Sequence, residues 1–277
     1  MVSWWHPYAP PATAGALDDE FDGESGGVPN GWTEYDHSTT TTVDEDEAGL
    51  ELIQATKASD ALGGIYKADP TGDITVWTHV SLNGLAHPAT DSVVAGIALF
   101  EDATSSTSDV RIYGIEPGLT HAATYATYST WSAHDTRTAS TDVNALNGVS
   151  DIFLRIRRTG TTYHFDISRN GNTWQRTYTT AALGFVPAQI GLVMSTNGAG
   201  ITTNARFDFF RSTNSDVGLT GQSGGDRIIF EGPGVGSGGG GPGRPRRPPG
   251  GGPPNPPGGG SLLGPVLKKL RFPEKVI

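Results

Sequence analysis

The stretch FLRIRRTGTTYHFDISRNGNTWQRTY, residues 153–178, decides the fold. Apolar and polar residues alternate through most of it, which is typical of half-buried strands. Two short segments interrupt the alternation, Thr159-Gly160 and Asn170-Gly171, and both contain residues that tolerate the positive φ of tight hairpins. The stretch is therefore predicted to form three consecutive strands. The segment around Asn170-Gly171 is interpreted first of all as a hairpin turn, with Gly171 at positive φ.

The same pattern extends from Leu17 to about Ser212. Short segments alternate apolar with polar residues, Gly, Asn, Asp or Pro mark many of their ends, and no convincing amphipathic helix lies between them. About ten strands without helices imply two antiparallel sheets packed face to face. We therefore predict an all-β jelly-roll β-sandwich. Its predicted strands are residues 49–55, 63–68, 73–82, 92–101, 109–116, 152–160, 162–168, 174–180, 188–196 and 204–211.

Charge is distributed unevenly along the chain. Residues 1–230 carry a net charge of −15, whereas residues 231–277 carry +5. The acidic body is expected to repel nucleic acid, and the basic tail could meet an acidic surface. There is no cysteine, so disulfides, thiolate metal sites and a Cys nucleophile are excluded.

Composition predicts four parts. An aromatic and Pro-rich arm, residues 1–16, precedes the sandwich, residues 17–230. A linker follows at 231–260; residues 232–260 hold 14 Gly and 9 Pro among 29 residues, a composition that cannot form a core. Residues 261–277 are apolar and basic and are predicted to be an assembly anchor. The alternative is that this segment folds back onto the sandwich. The anchor candidates are Trp4, Trp5, Leu262, Leu263, Leu267, Leu270 and Phe272.

Three segments resemble the concanavalin A-like lectin/glucanase superfamily, and in particular its DUF1349-type modules. They are LDDEFDGESGGVPNGWTEYD (17–36), FLRIRRTGTTYHFDISRNGNTWQ (153–175) and AQIGLVMSTNGAGITTNARFDFFR (188–211). In the second segment, Asn170 stands where Asp is usual. The resemblance implies a concanavalin A-like jelly roll with a Gly/Pro-rich extended tail. It implies little about function, because this sandwich serves lectins, hydrolases and spacers alike.

Two groups of residues are candidates for ligand binding. Tyr125, Tyr128 and Trp131 lie in a Thr/Ser-rich stretch and could line a glycan-binding groove by stacking on sugar rings; burial in the strand is the alternative. The carboxylates at 44–47 do not match the spacing of a glucanase strand and are interpreted as a solvated hairpin tip. Ca²⁺ at Asp44 and Asp46 is the other possibility. No other cofactor and no catalytic residue is predicted.

The function predicted from these features is that of a non-enzymatic accessory protein of a large assembly, namely a tailed-phage virion. The start of the chain lacks the regions of a secretory signal, and no segment is long enough to span a membrane. We therefore expect a protein made in the host cytoplasm and exposed on the particle surface. Its expected partners are other structural proteins, further copies of itself and a host glycan. The alternatives are a free carbohydrate-binding module and a glycoside hydrolase.

Overall fold

The computed structural model describes residues 17–23, 26–37, 41–46, 49–55, 59–69, 71–83, 92–117, 124–146, 149, 151–197 and 203–213. All of them belong to the first of two units, Met1–Gly232, and the second, Pro233–Ile277, lies outside the described residues. The predicted arm, linker and anchor also lie outside them. The domain boundaries drawn from composition stay predictions.

The described residues form fourteen strands. They are β1 Thr33–Tyr35, β2 Thr41–Asp46, β3 Gly49–Gln54, β4 Leu62–Ala68, β5 Ile74–Asn83, β6 Ser92–Phe100, β7 Val110–Pro117, β8 Thr124–Ala133, β9 Thr136–Ala145, β10 Asp151–Thr159, β11 Thr162–Ser168, β12 Gln175–Thr180, β13 Gln189–Asn197 and β14 Thr203–Thr213. No helix occurs in this part of the chain, and so none there could cross a membrane.

The strands form two antiparallel sheets of seven. Sheet A has the order β12-β11-β10-β5-β14-β3-β2, and sheet B has the order β1-β4-β13-β6-β7-β8-β9. This architecture confirms the predicted all-β sandwich. Each of the ten predicted strands is present, and β10, β11 and β12 are the three consecutive strands expected from residues 153–178. The first hairpin turns at Gly160-Thr161, one residue later than predicted, because Thr159 pairs with Thr162.

The acidic run at 44–47 differs from its prediction as a hairpin tip. The β2–β3 hairpin is present, but Asp44, Glu45 and Asp46 belong to strand β2 itself. Glu45 is on the side of the strand that faces inward with Val43, and it accepts a hydrogen bond from the backbone N–H of Gly23. Burial raises the pKa of Glu45, and the nearby Asp19 and Asp22 raise it further.

The main core lies between the inner faces of the two sheets. On β10 the inward residues are Ile152, Leu154 and Ile156, all nearly inaccessible to solvent. From the other sheet, the ring of Tyr113 approaches that of Phe165 with centroids 5.2 Å apart. Burying each large apolar side chain stabilises the fold by about 1.5–3 kcal/mol. Because successive side chains of a strand point to opposite faces, burial of these residues also determines which residues point outward.

The outer face of sheet B is also packed. Trp131, Val193 and Phe100 form a second apolar cluster there with Ala103 from the β6–β7 loop. Adjacent strands come unusually close at Gly96, which faces Gly114 in the β6–β7 pair. A Cβ at Gly96 would lie 2.2 Å from the carbonyl oxygen of Tyr113, so only glycine fits this position.

Candidate functional site

The turn between β11 and β12 is held by one side chain. The Oδ1 of Asn170 accepts hydrogen bonds from the backbone N–H of Asn172 at 3.0 Å and of Thr173 at 2.9 Å, and from the hydroxyl of Ser168 at 3.1 Å. Gly171 has a φ of 70°, as predicted. A left-handed conformation costs other residues roughly 1–2 kcal/mol. The turn is therefore well ordered, and it delivers Trp174 to the start of β12.

Trp174 joins an aromatic cluster on the outer face of sheet A, formed with Trp77, Phe153 and Phe209. Trp77 and Phe153 are each 6% exposed and Phe209 is 9% exposed, whereas Trp174 is half-buried. The three buried rings form a base. Trp174 is thus the ring of the cluster that a ligand can reach.

Pairing across sheet A aligns five outward residues in a single row. Arg176 pairs with Asp166, Asp166 with Arg155, Arg155 with Trp77 and Trp77 with Arg211. Because neighbouring strands are about 4.8 Å apart, this row spans about 19 Å. It contains four charged side chains and one aromatic side chain, that of Trp77, over five strands, and we call it the outer row.

A buried carboxylate holds the charged part of the outer row together. Asp166 Oδ2 accepts from Arg155 Nε at 3.0 Å and from Arg155 Nη2 at 2.8 Å, and Asp166 Oδ1 accepts from Arg176 Nε at 3.1 Å. The Arg155 guanidinium lies over the Trp174 ring, 4.1 Å from its centroid. Two fixed arginines therefore flank the accessible tryptophan. The Arg176 side chain is 41% exposed and can donate to a ligand.

His79 lies on the outer face of sheet A, two residues from Trp77 on β5, and contacts two carboxylates there. Its Nδ1 lies 2.7 Å from Asp208 Oδ2 and its Nε2 lies 3.7 Å from Asp151 Oδ2, while its ring packs on Phe153 with centroids 4.5 Å apart. Burial alone would lower the pKa of His79, but the two carboxylates outweigh it and raise the pKa to about 9. The imidazole is thus protonated at neutral pH and fixes these two carboxylates.

The outer row also contains a buried donor on an aromatic ring. The indole Nε1 of Trp77 makes no hydrogen bond within the described part of the chain. Most buried donors in proteins are satisfied, so this one is a donor to which a ligand hydroxyl could bind. A reachable ring, fixed cations and an unused donor are the groups that recognise sugars, whose C–H faces stack on aromatics and whose hydroxyls take hydrogen bonds.

The predicted glycan residues on β8 are not brought onto one surface. Tyr128 is 8% exposed and points inward, where its ring stacks on Tyr178 with centroids 4.7 Å apart. Trp131 is fully buried on the outer side of sheet B and donates to Ser129 Oγ at 3.0 Å. Tyr125 is half-buried on that outer side. Glycan contact at these three residues stays a prediction.

The metal candidates lie apart from this site. Asp44 and Asp46 alternate along β2, near the edge of sheet A. No group of three or more His, Asp or Glu side chains among the described residues is placed to hold a metal ion. Ca²⁺ at Asp44 and Asp46 stays a prediction. The anchor candidates Trp4, Trp5, Leu262, Leu263, Leu267, Leu270 and Phe272 lie outside the described residues.

Sequence reasoning named no member of the outer row as a candidate site residue. These residues lie on the outward side of β5, β10, β11, β12 and β14, and the alternating pattern marks them only as outward-facing. Phe209 was harder to find, because a bulge between Phe207 and Phe210 places both Asp208 and Phe209 opposite His79. The consecutive Phe209 and Phe210 break the alternation, which was the available signal.

A family model for the β-xylosidase C-terminal concanavalin A-like domain matches residues 71–213. The chain belongs to this family. The match includes β5, β10, β11, β12 and β14, which carry the outer row, and it confirms the concanavalin A-like fold inferred from sequence. No curated protein matches the chain.

Solved structures share the fold at low identity. One comes from work on endo-acting O-glycanases that prominent members of the human gut microbiota express to initiate mucin breakdown; it is 12% identical with a TM-score of 0.50, covering 72% of this chain and 98% of that one. The Bacteroides ovatus xyloglucan PUL protein GH43B is 17% identical with a TM-score of 0.47, covering 75% of this chain and 41% of its own. This chain thus spans less than half of that protein.

Proposed function

We propose that this concanavalin A-like domain is a non-enzymatic carbohydrate-binding module that holds a glycan along the outer row of sheet A. The observation that carries the proposal is the half-buried ring of Trp174, presented by the Asn170 turn and flanked by Arg155 and Arg176. Because the Arg155 guanidinium covers one face of this ring, a sugar would contact the remaining exposed part of the ring, and the exposed Arg176 would donate to its hydroxyls.

Rigidity supports this role. Asp166 is 2% exposed and fixes both arginines, while three buried aromatic side chains support Trp174. A preformed surface of this kind loses little side-chain entropy on binding. A glycan would meet Arg176, whose side chain is 41% exposed, and the half-buried Trp174, while Arg155 and Trp77 are buried beneath them.

The test is a pair of variants measured by affinity electrophoresis and calorimetry. Because the family is described from β-xylosidases, xylo-oligosaccharides head the ligand panel, followed by manno-oligosaccharides and mucin O-glycans. Trp174→Ala is expected to weaken binding at least about fivefold, if a sugar on this ring contributes about as much as the 1–3 kcal/mol of a base stacked on an aromatic ring.

Tyr125→Ala is the matched control, because it removes another half-buried aromatic side chain, from the opposite sheet. It is expected to bind the glycan like the unmodified protein. If Tyr125→Ala loses binding and Trp174→Ala keeps it, the site lies on β8 as the sequence first predicted. Release of reducing sugar from xylan by the unmodified protein would contradict the non-enzymatic part of the proposal.

The wider setting proposed for the module is an accessory protein exposed on a tailed-phage virion, with residues 261–277 as anchor. What supports it is the layout of the sequence, in which an acidic body carries a Gly/Pro-rich linker and an apolar, basic terminus. A free carbohydrate-binding module is the alternative. Deleting residues 261–277 is expected to leave a folded sandwich that no longer joins its assembly, and normal incorporation would favour the free module.

A further inference from the structure

A cavity of about 580 Å³ lies at one end of the sandwich, away from Trp174. Its walls come from three connections: the β4–β5 loop, the β10–β11 hairpin and the β12–β13 loop. The hairpin and the Trp174 turn are at opposite ends of β11, which is seven residues long, or about 20 Å. We call this cavity the end pocket, and its volume is typical of small-molecule sites.

One wall of the end pocket is apolar. It is formed by Leu183, Phe185, Val186 and Pro187 of the β12–β13 loop. Val186 is 85% exposed, and among the described residues only Val28, at 37%, is another large apolar side chain on the surface. Val186 and the neighbouring Phe185 ring are therefore apolar surface that a ligand in the cavity could contact.

The apolar wall is held in place. The guanidinium of Arg111 lies 4.9 Å from the centroid of the Phe185 ring, and its Nε donates to the Leu183 carbonyl at 3.2 Å. Where the loop returns to the sheet, the backbone N–H of Ala188 donates to the Phe100 carbonyl at 2.9 Å. The wall is therefore a formed surface that a ligand would meet without rearrangement.

The polar side of the end pocket contains a buried ion pair with a spare acceptor. The Nη1 of Arg158 donates to Asp69 Oδ2, and the Nε of Arg158 donates to the Gly72 carbonyl at 2.5 Å. The Asp69 side chain is only 2% exposed, yet its Oδ1 has no hydrogen-bond partner within the described part of the chain. A buried carboxylate oxygen is normally satisfied, so Asp69 can accept from a ligand.

The net charge of the end pocket limits which ligands could donate a hydrogen bond to Asp69 Oδ1. The ionised side chains lining the end pocket are Asp69, Asp73 and Arg158, which leave one negative charge in excess. Anions are therefore disfavoured. A neutral ring with hydroxyl donors on its edge and C–H groups on its face matches both walls. A single sugar residue is a ring of this kind.

We propose that the end pocket is a second ligand site, which binds one neutral sugar ring between Asp69 Oδ1 and the Phe185–Val186 wall. This site is independent of the outer row, because the two share no residue and the Trp174 turn lies at the opposite end of β11. A protein with both sites would hold a glycan chain on its sheet face and a chain end, or a free monosaccharide, at its tip.

The test is a methyl-NMR titration of the full-length protein with D-xylose, D-glucose and D-mannose. A ligand with about 12 non-hydrogen atoms is expected to bind with a Kd on the order of 1 mM. At least one sugar should shift the Val186 methyl resonances saturably and leave the Trp174 indole resonance unchanged. D-glucuronate should bind at least about tenfold more weakly than D-glucose.

Two valine variants supply the control, because both side chains are exposed and neither supports the core. Val186→Ala should weaken binding about three- to tenfold by removing ligand contact area, and Val28→Ala should leave it unchanged. The proposal is overturned if no sugar shifts the Val186 methyls, if Val186→Ala binds like Val28→Ala, or if D-glucosamine binds while no neutral sugar does. A shift at Trp174 alone would support the outer row and reject the end pocket.

Discussion

Raising the pH from about 6 to about 9.5 should destabilise the sandwich through His79. The pKa of this histidine is raised from 6.5 to about 9 in the folded protein by Asp208 and Asp151. A group whose folded pKa is raised stabilises the fold fully below its unfolded pKa, and the contribution disappears as the pH passes the folded pKa. The loss is therefore expected between about pH 6.5 and pH 9.

The size of the loss follows from the difference in pKa. Each pKa unit is worth about 1.36 kcal/mol, so a rise from 6.5 to about 9 corresponds to about 3 kcal/mol of unfolding free energy. His79 is 7% exposed and the Asp208 side chain 20% exposed, but the Asp151 side chain is 62% exposed, so solvent screening removes mainly the part of this amount that comes from Asp151. For a domain with an unfolding free energy of about 5–15 kcal/mol, the change is easy to measure.

The assay is urea denaturation at several pH values, compared between the unmodified protein and His79→Gln. Subtracting the two curves removes the titration of all other groups. The difference in unfolding free energy is expected to be largest at about pH 6 and to shrink by about 3 kcal/mol by about pH 9.5. A difference that stays constant with pH would refute the claim that the two carboxylates hold a protonated imidazole on this face.

Two further substitutions and the chelation of Ca²⁺ test other parts of the structure. Gly171→Val should destabilise the fold by about 1–2 kcal/mol because of the positive φ, which thermal denaturation would show; an unchanged melting temperature would reject the turn geometry. Gly96→Ala should destabilise it by at least about 2 kcal/mol, since the new Cβ meets the Tyr113 carbonyl; a fully stable variant would mean that the strands can separate there. Chelation should leave glycan binding unchanged if Ca²⁺ plays no part at Asp44 and Asp46; a loss reversed by added Ca²⁺ would establish the metal site.

The alternating pattern was sufficient to predict most strands but not all of them. Strand β9, with the sequence TRTASTDVNA, has no buried residue and lies at the edge of sheet B. An edge strand without a fully buried residue leaves little hydrophobic period to detect. The acidic strand β2 was missed for a related reason, because Glu45 occupies an inward position where the pattern predicts an apolar residue.

The candidate site was harder to predict than the fold. Trp174 stood out in the sequence, but only as part of a turn. The outer row depends on the registers of β5 with β10 and β14, which join residues far apart in the chain, such as Trp77 with Arg155 and Arg211. Period-two alternation tells which residues point outward and not which of them become neighbours, so the row could be seen only once the sheet order was known.

The most direct test of the proposed glycan site is the indole N–H spectrum of the full-length protein during titration with its best oligosaccharide. The chain has six tryptophans, and each indole N–H gives one resonance. We predict that the resonances of Trp174 and Trp77 shift together and saturate at the Kd found by calorimetry, while that of the buried Trp131 does not move. A shift confined to Trp131, or saturable binding that leaves both Trp174 and Trp77 unchanged, would contradict glycan binding on the outer row.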